Sequence, residues 1–95
     1  MKIDRPKIDV DLFFSWRILR VDDGLEVVGN TISFVEFGES GRAKELHQNP
    51  AVGYSLLVDR GVWHTTVITE LLDPMEGEVH RFKTENSEYV ITKIK

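Results

Sequence analysis

The stretch AVGYSLLVDRGVWHTTVITELL, residues 51–72, sets two apolar, β-branched segments on either side of Asp59-Arg60-Gly61. Aspartate favours tight turns, and glycine can take the left-handed backbone conformation that closes them. The expectation is a hairpin in which a strand over 52–58 pairs with a strand over 62–72. Asp22-Asp23-Gly24 repeats the pattern upstream and reads as a three-residue hairpin loop with a glycine bulge. It leads into a strand over 25–28. Gly29-Asn30 then reads as a two-residue hairpin turn into a strand over 31–37, giving three consecutive antiparallel strands.

Further towards the start, IDVDLFFSWRI (8–18) carries apolar residues at every even position, Ile8, Val10, Leu12, Phe14, Trp16 and Ile18. Asp9, Asp11, Ser15 and Arg17 alternate with them. A period of two over eleven residues is a long strand with one buried face, and Phe13 interrupts its polar side. GESGRAKELHQNP changes character. Ser40 is suited to cap a helix, Ala43 and Leu46 are three apart, and Asn49-Pro50 stops the segment, so one short helix is expected over 41–48.

Downstream of the opening stretch, DPMEG (73–77) is a five-residue turn with proline second and glycine last. Strands over 79–84 and 89–94 follow, separated by the turn residues of ENSE; pairing across that turn would put Thr84 opposite Tyr89 and Phe82 opposite Ile91. The chain thus reads as one mainly β domain over 1–95. About seven short antiparallel strands would form a bent sheet or a small, partly open barrel, with one helix after the third strand.

Composition narrows the chemistry. The chain has 95 residues and no cysteine, which excludes disulfides and thiolate chemistry. Its net charge of -4 comes from scattered residues of both signs, so no basic tract offers itself to a polyanion. MKIDRPKIDVD has no apolar core of signal-peptide length, and a cytoplasmic location is expected.

The candidate site comes from strand pairing. Pairing Leu72 with Glu78 sets His80 opposite Glu70, Phe82 opposite Ile68, Thr84 opposite Thr66 and Asn86 opposite His64. One polar face would then carry His64, Thr66, Glu70, His80, Thr84 and Asn86, with an imidazole–carboxylate pair fit for proton transfer. The same residues also suit a solvated sheet surface, and no catalytic residue is assigned. Trp63, beside His64 and just after a turn, joins the set as a stacking surface. Arg42 and Lys44 at the start of the expected helix form a second candidate, for an anion held by backbone amides and the helix dipole. No metal site and no cofactor are expected, because the histidine and carboxylate spacings match no compact ligand motif.

RFKTENSEYVI, with its T-x-N-S-x-Y pattern, resembles the tails of small uncharacterised proteins from phages and bacteria. That resemblance covers about a tenth of the chain and implies a phage or mobile-element accessory protein that works by binding. The leading expectation is a non-enzymatic protein-interaction module or inhibitor, able to form a homodimer. One alternative is an oligonucleotide/oligosaccharide-binding-type barrel that takes single-stranded nucleic acid or a nucleotide through Trp63, Tyr54 and Arg42. The other is a small hydrolase or metal protein using His64, His80 and Glu70.

Overall fold

The computed structural model describes residues 14–94. Nine strands run through them: β1 (Trp16–Arg20), β2 (Glu26–Gly29), β3 (Ile32–Phe37), β4 (Ala43–His47), β5 (Ser55–Val58), β6 (Trp63–His64), β7 (Ile68–Leu72), β8 (His80–Thr84) and β9 (Glu88–Lys93). The only helical element among the described residues is a single 3-10 turn at Asp59–Gly61. The strands form two antiparallel sheets rather than a closed barrel, ordered β2-β1-β9-β8-β7 and β4-β3-β5-β6.

Both sheets are built by alternation. In the first, Ile18, Ile91, Phe82 and Tyr89 share one face; in the second, Phe34, Leu56 and Val58 do. Together with Ile68 these residues make one buried cluster, with Trp16, Val27, Ile32, Tyr54 and Trp63 packed around it. Aromatic edges cross between the sheets. Phe34 meets Phe82 at 6.4 Å and Trp63 meets Tyr89 at 5.8 Å, both edge-on. The even-position face expected for the first strand is present in Trp16 and Ile18; residues 8–13 of that expected strand, Phe13 included, lie outside the described residues.

The helix expected over 41–48 is instead strand β4. Phe34 pairs with His47, Val35 with Leu46 and Glu36 with Glu45. Two apolar positions cannot anchor so short a helix, whereas β3 offers a ladder of backbone partners, and tertiary pairing overrides helix propensity. Gly41 caps no helix. It has φ +80°, and the bonds Gly41 N–H to Gly38 O and Gly38 N–H to Arg42 O, both 2.9 Å, close a three-residue loop at Glu39-Ser40-Gly41. That is the glycine-bulge hairpin assigned from sequence to Asp22-Asp23-Gly24. The latter loop has four residues, because Arg20 N–H bonds Leu25 O and Gly24 N–H bonds Arg20 O.

Gly29-Asn30 is a crossover, not a hairpin. β2 pairs with β1, and β3 begins the second sheet. Gly29 is buried, and a Cβ there would run into Val58 Cγ1 and come within 3.0 Å of Asp59 Oδ2. Asp59 Oδ1 accepts from the backbone N–H of Asn30 at 2.8 Å and of Thr31 at 3.1 Å. Asp59 N–H in turn bonds Thr31 O at 2.9 Å. The carboxylate therefore holds the crossing chain from within the β5–β6 loop.

The expected hairpin about Asp59-Arg60-Gly61 exists, but only Leu57–His64 and Val58–Trp63 pair within it. The run 62–72 is divided. Its first part stays in the second sheet as β6, and its last part crosses to the edge of the first as β7. Thr65 marks the break. It is buried, its Oγ1 accepts from Leu56 N–H at 3.1 Å, and its hydroxyl donates to Thr66 O at 2.8 Å. No helix among the described residues is long and apolar enough to cross a membrane.

Candidate functional site

The β7–β8 register decides what becomes of the expected polar face. Leu72 pairs with Arg81, Leu71 with Phe82 and Glu70 with Lys83, then a bulge resets the ladder so that Ile68 pairs with Thr84. The pairing of Leu72 with Glu78 does not occur, because the connection runs over residues 73–79, two beyond the expected turn. The offset of three residues is odd, so it turns side chains to the other face. His80, Phe82 and Thr84 point inward. His80 sets its ring edge-on to Phe34 at 5.8 Å, and burial pushes its imidazole pKa below the ordinary value. Glu70 points outward to Lys83, 3.8 Å away. The imidazole–carboxylate pair of His80 and Glu70 is therefore not formed.

His64 and Thr66 do come together elsewhere. They line a cavity of about 420 Å³ with Phe37, Ser55, Thr65, Val67 and Glu85. It lies where the chain passes from β6 to β7. Ser55 and Thr65 are its buried floor, while Phe37 and Val67 are each more than a third exposed. Glu85, from the β8–β9 turn, also borders a second hollow of about 230 Å³ that contains Thr84 and Asn86. The β8–β9 turn is tight. Thr84 N–H bonds Ser87 O at 2.8 Å, and Phe82 pairs with Tyr89 rather than Ile91. The shift from the expected pairing is two residues, so Tyr89 and Ile91 still share a face with Phe82. The β1–β2 turn docks on this loop through Glu88 N–H to Asp22 Oδ2 at 2.9 Å.

The aromatic candidates have partners within the protein. Trp63 packs on Tyr89, and Tyr54 stacks on His47 at 4.6 Å with planes 9° apart. The anion candidate loses its helix. Arg42 is exposed where the loop enters β4, and Lys44 lies 3.5 Å from Glu36. His47 is half-buried, with Nε2 2.8 Å from Glu36 Oε1 and 3.9 Å from Glu45 Oε2. The hydrogen bond from His47, reinforced by Lys44, holds the Glu36 carboxyl below the usual range.

Sequence reasoning found His64 and Thr66 but missed Phe37, Ser55, Thr65, Val67 and Glu85. Phe37 ends the β-rich run 31–37 and was legible as a strand terminus. Val67 and Glu85 carry no local signal, since the sheet crossover alone brings them together. Comparison with protein-family models, with curated proteins and with solved structures finds no match to this chain.

Proposed function

We propose that the chain is a protein-interaction module whose partner occupies the groove at the β6–β7 crossover. The observation that carries this reading is the exposed pair Phe37 and Val67 over a buried Ser55–Thr65 floor, with His64, Thr66 and Glu85 at the rim. Apolar walls with a few convergent polar groups suit one large apolar side chain. The rim imidazole, hydroxyl and carboxylate would fix the backbone or a donor beside it. The T-x-N-S-x-Y tail supports an accessory role of the kind served by small phage and bacterial proteins.

The test is site-specific photo-crosslinking in the producing cell. A benzophenone side chain at position 37 or 67 is expected to give one shared adduct. The same probe at Val62, 85% exposed in the β5–β6 loop, is expected to give none. Adducts at position 62 alone, or different adducts at 37 and 67, would overturn the proposal.

A further inference from the structure

Glu36 and Glu45 sit directly opposite each other on β3 and β4. Like charges in that relation destabilise a sheet unless something positive lies between them. His47, two residues along β4, turns Nε2 towards both. The three donor atoms, one nitrogen and two carboxylate oxygens, lie within 4.8 Å of one another. Alternation puts them on the same side of the second sheet as Phe34, where Tyr54 leaves the core cluster and stacks on the imidazole. That stacking fixes the ring plane, so the nitrogen is aimed before any ligand arrives.

We infer that Glu36, Glu45 and His47 form a binding site for a divalent transition-metal ion of the Zn²⁺ type. An imidazole with two carboxylates is a borderline donor set. It suits zinc better than the all-oxygen shells of calcium or magnesium. Zinc bonds of about 2.0–2.2 Å place tetrahedral donors roughly 3.5 Å apart. The widest donor separation must therefore contract by about an ångström, which the Glu45 side chain, 63% exposed, has the freedom to do. Water completes the shell. Lys44, 3.5 Å from Glu36, is the competing cation. The site is independent of the groove, which lies on the other side of the sheet around Ser55 and His64.

The proposal is tested by titrating ZnCl₂ into the chelator-treated full chain by calorimetry, with Co²⁺ absorption as a second readout. One ion per chain is expected. Glu45→Gln and His47→Gln should each weaken binding at least about tenfold. Lys44→Met should tighten it by removing a repelling charge, and His64→Gln should leave it unchanged. Glu45 is exposed, so its variant remains informative even if His47→Gln disturbs the fold. Absence of binding at millimolar Zn²⁺, binding unaltered by Glu45→Gln, or loss on His64→Gln would each overturn the proposal.

Discussion

Asp59 and Arg60 are the only non-glycine residues with positive φ among those described, at 49° and 61°. Left-handed backbone costs an L-residue about 1–2 kcal/mol, and aspartate tolerates it better than most. The two positions differ in what offsets that cost. Asp59 binds the N–H groups of Asn30 and Thr31 across 28 or more residues of chain. Arg60 is exposed and its side chain makes no hydrogen bond or ion pair among the described residues. Asp59→Ala should therefore lose about 1–3 kcal/mol, since two backbone donors lose their acceptor. Arg60→Gly should be neutral or stabilising by up to about 1 kcal/mol, because glycine relieves the strain but gains unfolded-state entropy. Urea midpoints of the two variants measure the difference. Equal losses would mean that the Asp59 carboxylate does not hold the crossover.

At the scale of elements, the decisive event is the division of 62–72 between two sheets. Strand β6 is two residues long because Thr65 supplies from its side chain what the next ladder position would have supplied from backbone. Leu56 N–H, buried, finds Thr65 Oγ1. Thr65→Val keeps the shape but leaves that donor unsatisfied, and should cost about 1–3 kcal/mol. Thr65→Ser keeps the oxygen and should recover most of the loss, less the small cost of one methyl. Denaturant unfolding of the pair separates hydrogen bonding from packing. A valine variant as stable as the parent would show that water or backbone takes over the role. The same scale explains β4. AKELH has helix-forming side chains, yet a segment with so little apolar surface takes whatever the neighbouring strand offers.

For the whole molecule, the relevant quantity is how stability follows pH. His80 lies between the sheets against Phe34, with Phe82 beside it and Ile91 across the ladder. Among the described residues no charged side chain pairs with it. Its folded pKa lies below the ordinary 6.5 because burial disfavours the imidazolium. The unfolded chain thus takes up the proton first. Stability from the neutral ring is fully present above about pH 6.5, and it is lost as pH falls from there through the lowered folded pKa. His80→Phe should flatten this part of the thermal-stability profile, measured between neutral and mildly acid pH, and an unchanged slope would assign it to another group. A second acid limb belongs to Asp23. The Arg20 guanidinium holds its carboxyl at about 2, from an ordinary 3.8, so its contribution is present above 3.8 and is lost as pH falls through 2.

The sequence by itself determined the mainly β, antiparallel character, most strand positions and the inward face of β1, because alternation and turn chemistry act within a few residues. Asp59-Arg60-Gly61 was legible as a loop for that reason. Only the tertiary structure decided where the chain changes sheets. Gly29-Asn30 is locally indistinguishable from a hairpin turn, and it becomes a crossover because Val58 and Asp59 fill the space where a glycine Cβ would stand. The β7–β8 register likewise depends on burying His80 and Phe82 against Phe34 of the other sheet. Both candidate sites inherit this dependence. The groove joins Phe37, His64, Val67 and Glu85 across a crossover, and Glu36 meets Glu45 and His47 only because 43–47 pairs as a strand. Such contacts join residues distant in sequence, and no local pattern encodes them.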